Sequence, residues 1–133
     1  MVVKIPRNLV NQLLQHAQQN EGCEICGFIS CKQDNPVRVY PVRNIAATPA
    51  CRYMMDPADQ INAMRLMRER NEKLFAIYHS HPASPAIPSA IDVKEAGYPD
   101  ALYLIISLNT KGVLEMRGFR IAGDDVKELE LTI

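Results

Sequence analysis

The sequence contains no tryptophan, no internal repeat and no excess of charge of either sign. Its 133 residues include 15 Lys and Arg against 15 Asp and Glu, so the formal net charge is zero. Nucleic-acid-binding domains usually carry a basic excess, and we therefore predict no nucleic-acid partner. Apolar residues make up 47% of the chain and charged residues 23%, which are values of globular and not of disordered proteins.

Long hydrophobic runs are also missing. The longest compact apolar run, Ala101 to Leu108, has the length of a strand and falls well short of the roughly 18 residues that a membrane span needs. The first ten residues include Lys4, Pro6 and Arg7 and lack the apolar centre of a secretory signal. We therefore expect no membrane partner and a soluble, cytoplasmic protein whose four cysteines are reduced.

The length and the hydrophobic periodicity predict one α/β domain over residues 1–133, a mixed β-sheet flanked by helices. Three helices are predicted, at Arg7–Gln19, from Pro57 to about Glu72 with Asp56 as N-cap, and at Ser89–Ala96. The second helix is expected to turn Ile61, Met64 and Met67 inward. The predicted strands are Met1–Ile5, Gly27–Cys31, Val37–Val42, Arg52–Met55, Leu74–Ser80, Ala101–Leu108, Val113–Ile121 and Val126–Ile133, with a turn at Asn109–Gly112.

Two histidines near the end of the fifth of these strands carry the strongest chemical signal. Residues i and i+2 of a strand point to the same face, so His79 and His81 project side by side and suit one metal ion. A catalytic zinc site uses three protein ligands and leaves one position for water. Asp92, eleven residues after His81, is the candidate third ligand. The competing interpretations are a chance surface pair of histidines and an Asp92 that only caps a helix begun by Ser89.

The spacing His79-x-His81-Pro82, six residues, Ser89, two residues, Asp92 resembles the H-x-H-P-x6-S-x2-D signature of the JAMM (MPN-plus) zinc metallopeptidases. These enzymes also have an upstream glutamate in an E-x-C-G context, which Glu24-Ile25-Cys26-Gly27 matches. The resemblance extends from the first helix to about Phe119, and it implies a JAB1/MPN, cytidine-deaminase-like fold. One departure is Gly22, where many relatives carry proline.

The resemblance also implies a role for each residue. His79, His81 and Asp92 would hold Zn²⁺, Glu24 would act as general base, and Ser89 would stabilise the oxyanion. Taken alone, Glu24 fits a solvated loop carboxylate, as most glutamates in such places do, and only the match to the family pattern favours the catalytic role. For small bacterial members the implied substrate is a ubiquitin-like sulfur carrier protein, cut after its C-terminal Gly-Gly. A cell-wall or phage-tail-type peptidase, a non-catalytic MPN scaffold and a DNA-repair-associated relative are the alternatives.

The pair Cys23-x-x-Cys26 is a weaker signal. A structural zinc site needs four ligands, and no second pair of this kind is present in the sequence. A thioredoxin-like pair lies between a strand and a helix, whereas this one precedes a predicted strand. We therefore interpret Cys26 as a small buried residue and His16, on the first helix, as structural or solvated.

Overall fold

The computed structural model describes residues 2–20, 22–108 and 115–133. Within these ranges the elements in chain order are β1 (Val2–Lys4), α1 (Arg7–Gln19), β2 (Cys26–Lys32), β3 (Asn35–Val42), α2 (Pro57–Glu69), β4 (Lys73–His81), α3 (Ala90–Glu95), β5 (Leu102–Ser107), β6 (Glu115–Ala122) and β7 (Asp125–Thr132). No helix in the described part of the chain is long and apolar enough to cross a bilayer.

All seven strands form one mixed sheet in the order β1-β7-β6-β5-β4-β2-β3. The pairs β4–β5 and β1–β7 are parallel, and the other neighbouring strands are antiparallel. The predicted α/β class with a mixed sheet flanked by helices is confirmed. β5 lies at the centre of the sheet and is buried throughout, as its unbroken apolar run predicts.

Successive residues of the central strands point to opposite faces and supply two separate cores. On one face Phe28, Ile77 and Ile105 pack with the buried side of α2. On the other, α1 contributes its buried residues Leu9, Val10, Leu13 and Ala17. His79 and His81 continue the series that begins at Ile77, so they lie on the α2 face of the sheet.

Gly27, part of the E-x-C-G segment, has no room for a side chain. A Cβ atom at this position would lie 2.5 Å from the Tyr40 carbonyl oxygen and 2.5 Å from the Tyr78 hydroxyl. The close approach of β3 and of the Tyr78 ring therefore requires glycine. Cys26, just before it, pairs with Val42 of β3 and His79 of β4.

Several sequence predictions are wrong in detail. Arg52–Met55 is not a strand, because the segment makes only an isolated bridge between Asn44 and Met55. Ile61 does not point inward; it is 70% exposed, because α2 approaches the sheet through Ala63 and Met67. The helix ends at Glu69 and not at Glu72.

The last strand is β7 (Asp125–Thr132) and not Val126–Ile133; Val126 within it and Ile133 after it are both exposed. The predicted turn at Asn109–Gly112 and the start of the following strand lie outside the described residues.

Candidate metal centre

Strand β4 ends with the two histidines on one face, as the i, i+2 spacing predicts. His79 pairs with Cys26 of β2 on one side and with Ile105 of β5 on the other, so its backbone is fixed by two neighbouring strands. Both imidazoles are buried. Their Nε2 atoms lie 3.1 Å apart, directed at a common point.

Helix α3 brings Asp92 to the same point. The Asp92 Oδ2 atom lies 3.1 Å from His79 Nε2 and 3.2 Å from His81 Nε2. Three ligands at about 2.0–2.1 Å from a tetrahedral ion are separated by about 3.3 Å, so this triangle of two nitrogens and one oxygen has the size that a metal centre needs. The donor set fits a divalent metal ion.

The pKa shifts of His79 and Asp92 also suit a metal. Burial lowers the pKa of His79 and so favours the neutral ring. Burial alone would raise the pKa of Asp92, but its hydrogen bonds with His79 and His81 outweigh burial and hold that pKa well below its usual range. His81 Nδ1 lies 2.8 Å from the Pro85 carbonyl oxygen. A proton donated there leaves the lone pair on Nε2.

Glu24 reaches the centre from the loop before β2. Its backbone N–H donates to the Pro49 carbonyl at 2.7 Å, and its side chain is buried, with Oε1 unpaired among the described residues. One ligand atom each from Glu24, His79, His81 and Asp92 lies within 4.8 Å of the others. Burial raises the pKa of Glu24 to about 7, which is a value suited to a proton acceptor near neutral pH.

A comparison with known families identifies the family of this chain. Residues 6–121 match the Prok-JAB family, described as prokaryotic homologs of the JAB domain. The chain belongs to the Prok-JAB family. The predicted resemblance to JAMM metallopeptidases is thereby confirmed.

Two curated relatives of this Prok-JAB protein match nearly the whole chain. The CysO-cysteine peptidase of Mycobacterium tuberculosis is 36% identical over 129 residues, covering 96% of this chain and 88% of that protein. The desampylase of Haloferax volcanii is 29% identical over 129 residues, covering 92% of this chain and 90% of that protein. The protein is thus a hydrolytic enzyme of the JAMM type.

Solved structures support the same family fold. Protein DSY2949 from Desulfitobacterium hafniense superposes with a TM-score of 0.87 and 34% identity, covering 99% of this chain and 92% of that one. A structure described as "JAMM: A Metalloprotease-like Zinc Site in the Proteasome and Signalosome" superposes with a TM-score of 0.60 and 18% identity over the full length of both chains. At that identity the second likeness concerns the fold alone.

Sequence reasoning missed Asn44, a residue that organises the loops around the centre of this Prok-JAB domain. Its Nδ2 group donates to the carbonyls of Glu24 at 2.9 Å and of Arg52 at 3.1 Å. Its Oδ1 atom accepts from the N–H groups of Ala46 at 3.0 Å and Met54 at 2.9 Å. One amide therefore ties the Glu24 loop to the segment 52–54, and no sequence motif marks it.

Of the cysteine pair, Cys26 is the small buried residue that the sequence interpretation expects. Cys26 is buried, and its thiol donates to the Val42 carbonyl oxygen at 3.4 Å. Burial raises the pKa of Cys26 to about 12, and a thiol kept protonated is a poor nucleophile and metal ligand. His16 has a structural partner: its Nδ1 atom lies 2.9 Å from the hydroxyl of Tyr78.

Proposed function

We propose that this protein is a zinc metallopeptidase that hydrolyses the bond after the C-terminal Gly-Gly of a ubiquitin-like sulfur carrier protein. The observation that carries the proposal is the convergence of Glu24, His79, His81 and Asp92 on one buried point. Two imidazole nitrogens and one carboxylate oxygen are ligands that zinc accepts in catalytic sites, where a fourth position stays open to water.

The ligands in this proposal are His79, His81 and Asp92. When bound there, zinc lowers the pKa of water and polarises the scissile carbonyl. Glu24 accepts the proton of the attacking water and returns it to the leaving amine. The pKa of about 7 that burial gives Glu24 allows both directions of transfer near neutral pH.

Ser89 is proposed to stabilise the oxyanion. Its Oγ atom accepts the N–H of Asp92 at 3.1 Å, which leaves the hydroxyl proton free to be donated elsewhere. The side chain is exposed and borders a cleft of about 400 Å³ that Glu24 and His81 also line. A substrate carbonyl in this cleft can therefore receive the Ser89 hydrogen bond.

The substrate class is supported by the relatives and by the shape of the site. One relative is a CysO-cysteine peptidase and another a desampylase, which supports a peptidase that acts on a carrier protein. The Pro82–Pro88 loop forms one wall of the cleft beside β4. A diglycine tail has no Cβ atoms to clash with this wall.

The domain extent and the cellular location complete the proposal. We propose that residues 1–133 act as one metallopeptidase domain, since a single sheet includes strands from both ends of the chain. The cytoplasmic location stays a prediction, and the four free cysteines agree with a reducing compartment.

Mass spectrometry of a sulfur carrier extended beyond Gly-Gly tests this function. The zinc-loaded enzyme should release the extension, and a carrier with Ala-Ala in place of Gly-Gly should be cut poorly. Equal cleavage of both carriers would contradict the proposed selectivity. Cleavage of cell-wall peptides in place of either carrier would favour the cell-wall peptidase, and zinc-loaded protein inert toward all of them would favour the scaffold.

A further inference from the structure

The two histidines of the metal centre are oriented by different means. His81 has its Nδ1 atom 2.8 Å from the Pro85 carbonyl oxygen. His79 Nδ1 is buried and has no hydrogen-bond partner in the described part of the chain. Histidines that bind metals ordinarily use this second nitrogen to fix the ring, so the His79 ring must be held by another contact.

That contact is with Tyr53. The two rings are stacked, with centroids 4.6 Å apart and an interplanar angle of 29°. A flat neighbour at this distance opposes rotation of the imidazole about its Cβ–Cγ bond, because a rotated ring would collide with the Tyr53 face. Such rotation would move Nε2 away from His81 and Asp92.

Tyr53 is itself held by contacts that do not involve the metal centre. The Asn44 side chain binds the carbonyl of Arg52 at 3.1 Å and the N–H of Met54 at 2.9 Å, one on each side of Tyr53. Arg52 is further joined to Glu95 of α3 at 2.8 Å. The Tyr53 ring also packs against the hydrophobic core on the α2 face.

We propose that Tyr53 is a positioning residue that sets the ring plane of His79. It does so in place of a hydrogen bond like that of His81, which no described residue makes to His79 Nδ1. The inference rests on the proposed function, since it assumes that His79 binds the metal. It assigns the role to the aromatic face of Tyr53 and not to its hydroxyl. Disturbing the partners that orient a metal ligand typically weakens metal binding by about 10–100-fold.

Zinc affinity, measured by competition with a chromophoric chelator, tests this role in Tyr53→Phe and Tyr53→Leu. Tyr53→Phe keeps the stacked face and should bind zinc like the wild type. Tyr53→Leu should bind about 10–100-fold more weakly, and its cobalt-substituted form should show an altered visible spectrum. Tyr98→Leu is the matched control, because Tyr98 lines the neighbouring cleft with Tyr53 but is 39% exposed; its zinc affinity should not change.

A merely structural role for Tyr53 gives a different result. It would lower the melting temperature of the metal-free protein but leave the rise in melting temperature on adding zinc unchanged, whereas a positioning role reduces that rise. Unchanged zinc affinity in Tyr53→Leu, or an equal loss in Tyr53→Phe, would overturn the proposal. If Tyr53→Leu does not fold, Tyr53→Met takes its place with the same expected loss. A wild type that binds no zinc would refute the proposed function itself.

Discussion

Ser89 and Asp92 bind each other reciprocally at the start of helix α3. The Ser89 Oγ atom accepts the N–H of Asp92 at 3.1 Å, and Asp92 Oδ2 accepts the N–H of Ser89 at 2.9 Å. The same Oδ2 atom faces both histidines of β4. The capping box that begins the helix therefore also orients a carboxylate of the candidate metal centre, and the two interpretations of Asp92 offered by the sequence are compatible.

Ser89 is both the helix cap and the proposed oxyanion donor, so Ser89→Ala should have two separate effects. Loss of the cap should lower the free energy of unfolding by about 1 kcal/mol, while loss of an oxyanion donor should reduce turnover by about 10²–10³-fold. Ser89→Thr, which keeps the hydroxyl, is the control and should retain most of the wild-type stability and most of the wild-type turnover. Chemical denaturation and steady-state kinetics measure the two effects, and normal turnover in Ser89→Ala would exclude the oxyanion role.

Metal content should separate the histidines from the cysteines. His81→Ala removes a proposed ligand, so the purified variant should bind far less zinc than the wild type. Cys23→Ser/Cys26→Ser should keep one zinc per chain, because the buried Cys26 thiol is held protonated. Elemental analysis of both proteins measures this, and the reverse pattern would move the metal site to the cysteines.

Glu24→Gln should keep the metal and lose turnover. Glutamine has almost the same shape but cannot accept the proton of water, so turnover should fall by about 10²–10⁴-fold. Glu130→Gln, at an exposed position of β7, is the matched control and should be as active as the wild type. Wild-type rates in a zinc-loaded Glu24→Gln protein would remove Glu24 from the mechanism.

The stability of the metal-free protein should report the burial of Glu24. Its folded pKa is raised from the usual 4.5 to about 7, so the folded state binds this proton more tightly than the unfolded state. Between those pH values the contribution of Glu24 to stability is therefore lost as pH rises. At about 1.4 kcal/mol per pKa unit, the loss is on the order of 3 kcal/mol.

Denaturation with a chelator present checks this expectation. The free energy of unfolding of Glu24→Gln minus that of the wild type should increase from pH 4 to pH 8. The reason is that glutamine does not ionise, so the variant escapes the loss that the wild type suffers. A stability difference that is the same at both pH values would show that the carboxyl titrates normally in the folded protein.

Asn44→Ala should disturb both stability and activity. The change deletes hydrogen bonds to four backbone groups, and we expect unfolding to become easier by about 2–3 kcal/mol. Turnover should also fall, because Asn44 ties the Glu24 loop to the Tyr53 segment. Asn62→Ala is the control, at a surface position whose side chain accepts a hydrogen bond from Arg65. It should lower the free energy of unfolding by less than about 0.5 kcal/mol. Equal effects of the two changes on denaturation midpoints would contradict the role given to Asn44.

The sequence by itself determined the local features of this protein. The helical spacing of α1 predicts its bounds of Arg7–Gln19, which the structure has, because this helix buries one regular stripe. The i, i+2 spacing placed His79 and His81 on one face, and the capping pattern placed Asp92 in the first turn of α3. These features depend on neighbours within a few residues along the chain.

Tertiary structure decided everything that depends on distant segments. Glu24 lies 55 residues before His79, so only the pairing of β2 with β4 brings its loop to the centre. Arg52–Met55 has the composition of a strand, but the Asn44 side chain takes two of its backbone groups. The exposure of Ile61 and the stacking of Tyr53 on His79 likewise follow from how α2 and the loop before it pack on the sheet, because packing selects which of several possible faces is buried.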